Sequence, residues 1–150
     1  MTTTRSNDIR RALGCVLSAA VLGLNAIPPA RAEEPRPVPA CQLKGMDNNE
    51  SFDLQRYRGK VLYVDFWASW CGPCVKSFPF LNLLDRDYRE RGLEVLGINL
   101  DENIEDASVF LARHPAEFPI AVDPDKNCPR GFGVQGMPTS YLIDRQGTIR

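Results

Sequence analysis

The chain has 150 residues, of which 43% are hydrophobic and 25% are charged, and its formal net charge is −1 at pH 7. This length and composition fit one globular domain with a hydrophobic core, and the sequence contains no internal repeat or low-complexity tract. Because 18 basic residues are balanced by 19 acidic ones, the composition argues against a nucleic-acid-binding protein, and we expect no nucleic-acid partner.

Residues 1–32 have the features of a secretory signal peptide. Basic residues precede a mostly apolar stretch, residues 12–27, and Ala30 and Ala32 supply small residues where a signal peptidase cuts. The apolar stretch, at about 16 residues, is shorter than the roughly 20 that span a bilayer, which favours cleavage over an uncleaved membrane anchor. We therefore predict an exported, periplasmic protein. The adjacent arginines at 10–11 leave open whether export follows the Sec or the twin-arginine route.

The prolines of residues 33–40 predict an extended linker, so the folded domain is expected to cover residues 41–150. At its start, residues 41–43 and 51–53 flank a turn-rich stretch and predict a short N-terminal hairpin. The next strand is predicted over Val61–Trp67, an apolar run that leads directly to two cysteines.

Strands and helices alternate through the rest of the chain. The patterns predict, in chain order, a helix over 73–91, a strand over Leu93–Asn99, a helix over 104–114, a strand over 119–122, a short helix near Cys128–Phe132 and a strand over 140–143. A turn at 144–147 then predicts a hairpin whose second arm begins at Thr148. This order of elements indicates an α/β sandwich with a central sheet.

The sequence WCGPC, residues 70–74, stands between the predicted strand and the predicted helix. Cys71 and Cys74 are close enough, on the first turn of that helix, for their sulfurs to bond. The N-terminal end of a helix favours a thiolate over a thiol, so Cys71 is expected to be the nucleophile and Cys74 the resolving thiol. Gly72 lets the backbone turn tightly, and Pro73 is tolerated in a first helical turn. The motif therefore predicts a cysteine pair that exchanges disulfides.

A CxxC pair also occurs in zinc sites, which require a second pair of ligands. The sequence has none at motif spacing, because Cys41 and Cys128 are isolated and His114 is the only histidine. We therefore predict no metal and no cofactor, and a purely structural Cys71–Cys74 disulfide stays as an alternative. In an oxidising compartment Cys41 and Cys128 favour a second, structural disulfide, but sequence alone does not fix this pairing.

Four further features occur together: FWASWCGPC at 66–74, Pro79, the sequences FP and DPD at 118–119 and 123–125, and GMPT at 136–139. With them the chain, from about residue 43 to 150, resembles the thioredoxin superfamily and, more closely, the exported TlpA/ResA-like thiol-disulfide oxidoreductases. The resemblance implies a thioredoxin-like sandwich with a central mixed sheet, an N-terminal hairpin and a helical insertion at 103–114. That fold normally completes its last hairpin and adds a final helix, so we expect the C-terminal hairpin and helix to be truncated here. Either the sequence is a fragment, or the sheet has a short edge strand without a covering helix and exposes apolar surface.

The resemblance also implies roles for residues near the cysteines. Pro138 corresponds to a cis-proline packed beside the cysteine pair, and the backbone of Met137 is implied to pair with an extended substrate segment. Trp70 is implied to form the rim of the site and, with Gly72 and Pro73, to contact substrate.

Asp65 matches thioredoxin itself, whereas many TlpA/ResA-like proteins resemble one another in having asparagine there. An acid buried beneath the cysteines has a raised pKa and can accept the proton of Cys74, directly or through water. A partly exposed acid on a strand is the alternative. Ser77 stands where cytochrome-maturation members of the family carry glutamate, which weakens the prediction of a role in cytochrome c maturation.

These features predict an exported disulfide reductase. Its expected partners are disulfide-containing exported proteins as substrates and, by the resemblance, a membrane electron-transfer protein that restores the dithiol. The Gly-Pro pair and Asp65 resemble thioredoxin, whose reduction potential near roughly −270 mV favours reduction. A disulfide oxidase or isomerase is one alternative, and a Cu(I)-binding thioredoxin-like protein that uses Cys71 and Cys74 is another.

Overall fold

A computed structural model describes residues 35–150, and the predicted signal peptide, residues 1–32, lies outside them. The described strands are β1 Arg36–Pro37, β2 Gln42–Gly45, β3 Ser51–Asp53, β4 Val61–Trp67, β5 Leu93–Asn99, β6 Ile120–Val122, β7 Thr139–Ile143 and β8 Thr148–Ile149. The described α-helices are α1 Cys74–Tyr88, α2 Ile104–Arg113 and α3 Cys128–Phe132. No helix within residues 35–150 has the length and hydropathy required to cross a membrane.

The strands form one mixed sheet in the order β1-β8-β7-β4-β5-β6-β2-β3. The central strand β4 runs parallel to β5 and antiparallel to β7, and β5 runs parallel to β6. The hairpin of β2 and β3 extends the sheet beyond β6. This arrangement confirms the predicted α/β sandwich with a central mixed sheet, an N-terminal hairpin and a helix, α2, inserted between two parallel strands.

Side chains of β4 alternate between the two faces of the sheet, and each face has its own hydrophobic cluster. The first cluster comprises Val38, Cys41, Leu43, Leu54, Leu62, Val64, Phe66, Leu96, Ile98, Ala121, Cys128, Phe132, Ile143 and Ile149. The second comprises Trp67, Cys71, Cys74, Phe78, Leu81, Val95, Ala107, Phe110, Phe118 and Ile120. The helices α1 and α2 therefore cover the second face, and the cysteines of the WCGPC sequence belong to that face.

The helix predicted over 73–91 is α1 followed by a single 3-10 turn, Arg89–Arg91. The chain leaves this turn at Gly92, whose φ of 87° lies in the left-handed region that glycine adopts most easily. The hydrogen bond from the Gly92 amide to the Arg89 carbonyl closes the turn, so the chain is redirected into β5.

The packed part of the chain begins earlier than the sequence predicts. Within the predicted linker, residues 33–40, Arg36 and Pro37 pair with β8 as an edge strand. Val38 is buried, and its amide donates to the Gly147 carbonyl at 2.9 Å. This long-range pairing orders a proline-rich segment that local pattern alone indicates to be extended, and proline is tolerated because β1 is an edge strand.

The predicted C-terminal hairpin is formed by β7 and the two-residue strand β8, and its second arm begins at Thr148 as predicted. The hairpin turn is held by Asp144, whose carboxylate accepts hydrogen bonds from the amides of Gln146 and Thr148.

Candidate redox-active site

The cysteine pair lies at the junction of β4 and α1. The Cys71 amide donates to the Ala68 carbonyl at 3.1 Å, so the chain turns immediately after the strand. Cys71 and Cys74 form a disulfide with their Cα atoms 5.3 Å apart. Both are almost fully buried, whereas Gly72 and Pro73 between them are exposed. The disulfide thus lies directly beneath an exposed two-residue turn.

The helix begins at Cys74, one residue later than predicted, with Pro73 as its N-cap. The first three amides of α1 donate to carbonyls three residues earlier: Cys74 to Cys71, Val75 to Gly72 and Lys76 to Pro73. These tight-turn bonds use amides that an α-helix would leave unpaired at its start. With the cysteines in a disulfide, these three amides are therefore paired with backbone carbonyls and are not free donors to Cys71.

The loop that precedes the cysteines is fixed by Asp101, a residue that the sequence analysis did not select. The Asp101 carboxylate accepts hydrogen bonds from the Ser69 amide at 2.9 Å, from the Ser69 hydroxyl at 2.9 Å and from the Asn99 side-chain amide at 2.8 Å. Asp101 follows β5, and the carboxyl ends of the parallel strands β4 and β5 meet at this edge. In the sequence, the signal for this contact is an acid two residues after the end of the neighbouring parallel strand.

Asp65 is buried in the middle of β4 with 1% of its surface exposed. Its side chain points to the same face as Tyr63 and Trp67, which is the face covered by α1. The Ser140 hydroxyl donates to Oδ1 of Asp65 at 2.6 Å, and Oδ2 has no hydrogen-bond partner within residues 35–150. The structure thus excludes a partly exposed strand acid at this position.

Burial raises the pKa of Asp65 from its ordinary value of 3.8 to about 6, and the hydrogen bond from Ser140 acts in the opposite direction. A carboxyl with a pKa near 6 exchanges protons readily close to neutral pH. At pH 7 the carboxyl is largely ionised, so it can accept a proton from a neighbouring group.

The Met137–Pro138 peptide bond is cis. Met137 packs against the cluster that contains Cys71 and Cys74, while Pro138 is exposed. Trp70 is also at the surface, with 69% of its side chain exposed. Of the residues predicted to contact substrate, Met137 packs against the cysteine cluster. The others are exposed, and they are Trp70, Gly72, Pro73 and Pro138.

The remaining cysteines lie on the other face of the sheet. Cys41 and Cys128 form a disulfide with a Cα–Cα distance of 5.2 Å, and both are buried in the first cluster. The Cys128 amide, at the start of α3, donates to Asp123 Oδ2 at 2.7 Å. His114 stacks near Phe110, with ring centroids 4.8 Å apart. In the described part of the chain, no three His, Cys, Asp or Glu side chains are grouped to hold a metal ion.

Comparisons with known proteins agree with this geometry. The family model described as Redoxin matches residues 33–150. The chain is 33% identical over 100 residues to the thiol-disulfide oxidoreductase ResA of Bacillus thuringiensis subsp. konkukian, covering 67% of this chain and 58% of that protein. It is 33% identical over 108 residues to ResA of Geobacillus kaustophilus, covering 72% and 60%. The chain therefore spans less than two thirds of the length of these curated relatives.

Solved structures give a similar result. A crystal structure of a "putative Thiol:disulfide interchange protein DsbE" from Chlorobium tepidum is similar with a TM-score of 0.73 and 45% identity, covering 78% of this chain and 82% of that chain. A solution structure of a "putative protein disulfide isomerase" from Bacteroides thetaiotaomicron is similar with a TM-score of 0.68 and 28% identity, covering 76% and 74%.

Proposed function

Since the chain belongs to the Redoxin family and is a TlpA/ResA-like member of the thioredoxin superfamily, we propose that it is an exported thiol-disulfide oxidoreductase that reduces disulfides of exported proteins. The observation that carries the proposal is the Cys71–Cys74 disulfide at the start of α1, with the buried acid Asp65 on the same face of the sheet. The similar ResA and DsbE proteins are named for thiol-disulfide oxidoreduction and thiol:disulfide interchange, which supports the oxidoreductase class of the assignment.

The proposed reaction has two steps. In the first, the Cys71 thiolate attacks a substrate disulfide, whose S–S bond breaks as one substrate sulfur leaves as a thiolate. In the second, Cys74 transfers its proton to Asp65 and attacks the Cys71 sulfur, which releases the other substrate sulfur as a thiolate. The substrate gains two electrons and the enzyme is left with the Cys71–Cys74 disulfide. A membrane electron-transfer protein then restores the dithiol.

Substrate is proposed to bind across the exposed turn. Trp70, Gly72, Pro73 and Pro138 provide the exposed surface, and the backbone of Met137 pairs with an extended substrate segment as in strand addition. Ser77 stands where cytochrome-maturation members carry glutamate, so this position supplies no carboxylate. Its hydroxyl instead donates a hydrogen bond to the Cys74 carbonyl at 3.0 Å. We therefore keep the substrate class at disulfide-containing exported proteins and do not extend it to apocytochromes.

The reduction potential of the Cys71–Cys74 couple tests the direction of the reaction. We expect a value near or below about −240 mV when the chain is equilibrated against glutathione and dithiothreitol buffers. A Cys41→Ser/Cys128→Ser variant is the matched control, because it leaves only the couple under study among the disulfides of the described residues. A value above about −180 mV would instead indicate a disulfide oxidase or isomerase, the class to which the similar Bacteroides thetaiotaomicron protein is assigned by name.

Asp65→Asn is expected to slow the second step about 10²-fold at pH 7, because an amide cannot accept the Cys74 proton. In the unmodified protein the rate of this step falls as the pH drops through about 6, because Asp65 becomes protonated. We call this fall the acid limb of the pH–rate profile, and the variant should lack it. The measurement is single-turnover decay of a mixed disulfide across a pH series, with Asp106→Asn, an exposed acid of α2, as control. An unchanged rate and pH profile would remove Asp65 from the mechanism.

The same substitution is expected to stabilise the fold. Folding raises the pKa of Asp65 from 3.8 to about 6, so the protonated acid favours the folded state. This contribution to the free energy of unfolding is complete below pH 3.8 and is lost as the pH rises through about 6. At pH 7.5 the buried charge therefore costs up to about 3 kcal/mol, which asparagine avoids. Urea unfolding at pH 7.5 and pH 4 measures this difference, which should disappear at the lower pH.

A further inference from the structure

Ser140 is the single hydrogen-bond donor to the Asp65 carboxyl within residues 35–150. The two residues are separated by 74 others in sequence but are register partners on the antiparallel strands β4 and β7. Asp65 is almost completely buried, whereas Ser140 lies at an exposed position of β7. A residue at an exposed strand position therefore donates a hydrogen bond to a buried carboxyl.

Other groups around Asp65 do not provide a charge that could replace this bond. On β4 the titratable residue of the same face is Tyr63, and on β5 the register partner is Gly97, which has no side chain. From α1 the sheet is faced by Cys74, which is in the disulfide, while Lys76 is exposed. The same helix also carries the buried acid Asp85, whose carboxylate is engaged elsewhere, by the Val95 amide and the Arg89 guanidinium.

β7 contributes no charge either. Its titratable residue, Tyr141, packs with Phe66 and Phe132 on the opposite face of the sheet. Leu142, which follows Ser140 on the same face of the strand, is apolar. The environment of the Asp65 carboxyl is therefore apolar apart from one hydroxyl donor.

We propose that Ser140 is a positioning residue for the second step of the disulfide exchange, holding Oδ1 of Asp65 so that Oδ2 is the atom that accepts the Cys74 proton. This inference rests on the proposed function. The Cys74 S–H bond breaks as the proton moves to Oδ2, and the resulting Cys74 thiolate forms the bond to Cys71 that displaces the substrate thiolate. Ser140 is neither consumed nor ionised, and its hydroxyl keeps its hydrogen bond to Oδ1 throughout.

The hydroxyl has a second consequence for the same step. A hydrogen bond donated to a carboxylate favours its ionised form, and in an apolar site the loss of that bond leaves burial unopposed. Without Ser140 the pKa of Asp65 would rise further above its value of about 6, so a larger share of the protein would hold a protonated acid at neutral pH. A protonated Asp65 cannot accept the Cys74 proton, so the step would slow at pH 7.

The test compares Ser140→Ala with Ser140→Thr and with Ser108→Ala. Threonine retains a hydroxyl and suits a strand. Ser108, at an exposed position of α2, donates its hydroxyl hydrogen bond to the Ile104 carbonyl and has no bond to Asp65. The pKa of Asp65 is measured by carboxyl carbon NMR in the oxidised protein, which requires no turnover. Mixed-disulfide decay across the same pH series gives the kinetic readout.

In Ser140→Ala we expect the pKa of Asp65 to rise by roughly one pH unit, and the acid limb of the decay rate to move upward by the same amount. Ser140→Thr should restore both values and Ser108→Ala should change neither. In an Asp65→Asn background, Ser140→Ala should leave the decay rate unchanged, because Ser140 acts through Asp65.

An unchanged pKa of Asp65 in folded Ser140→Ala would overturn the inference, as would a slowed step whose pH profile does not move. Thermal unfolding of each variant identifies any general loss of structure. Failure of the proposed function gives a different result: the chain would reduce no disulfide, while the pKa of Asp65 in the NMR titration would still rise in Ser140→Ala.

Discussion

Cys71→Ser is expected to abolish disulfide reduction, lowering the rate by more than about 10³-fold, because a serine hydroxyl is not ionised at neutral pH and cannot attack a disulfide. The variant should remain folded, since Cys71 closes only the short ring to Cys74 at the start of α1. Reduction of insulin in the presence of dithiothreitol measures the loss. Activity that persists in the folded variant would show that another group is the nucleophile.

Cys74→Ser should have a different effect, because the first step is still possible and the second is not. Cys71 then attacks the substrate and stays bound to it, so a mixed disulfide accumulates in place of product. Non-reducing electrophoresis and intact-mass spectrometry detect this adduct at the mass of the chain plus one substrate. Cys71→Ser/Cys74→Ser is the matched control and should form none. An adduct that formed equally in both variants would have to arise elsewhere in the chain.

The local sequence signals were sufficient to predict the elements that carry this chemistry. β4 and β5 have the predicted bounds, because each is a mostly apolar run of strand length with a clear end. Gly72 and Pro73 then mark the turn between β4 and α1 within one residue of its place. The cysteine pair is defined by contacts within a single helical turn, so its arrangement depends little on the rest of the fold.

The parts that were not predicted depend on pairing between distant segments. Arg36 lies in a two-residue strand because β8, at the other end of the described chain, offers it a partner. Asp101 anchors Ser69 because two parallel strands end at the same edge, and Ser140 reaches Asp65 because β7 pairs with β4 in one particular register. A one-residue change of that register would point Ser140 to the opposite face of the sheet. No local pattern in the sequence specifies the register of β7 against β4.

The second large effect concerns stability. Removal of the Cys41–Cys128 disulfide by Cys41→Ala/Cys128→Ala is expected to lower the free energy of unfolding by about 4 kcal/mol, because the bond closes a loop with a sequence separation of 87. This is a large share of the roughly 5 to 15 kcal/mol by which a domain is usually stable. Both sulfurs are buried in the first hydrophobic cluster, so the variant also loses packing there.

The chain contains its own control for this prediction. The Cys71–Cys74 disulfide has a sequence separation of 3, so Cys71→Ala/Cys74→Ala should lower the free energy of unfolding by less than about 2 kcal/mol. Urea denaturation of the oxidised proteins at one pH compares the two variants directly. If the two losses were equal, or if the loss at Cys41 and Cys128 were the smaller, loop closure would not be the source of the stabilisation.

Stability and activity should therefore respond to the two disulfides in opposite order. The pair on the α1 face lies beneath an exposed turn and on the same face of the sheet as a buried acid, and its removal should end activity at a small cost in stability. The pair on the other face joins the segment before β2 to α3, and its removal should destabilise the domain while each folded molecule keeps its activity. Reduction assays at a temperature well below the unfolding midpoint of both variants test this separation. A large loss of activity per folded molecule in Cys41→Ala/Cys128→Ala would instead couple the two faces of the sheet.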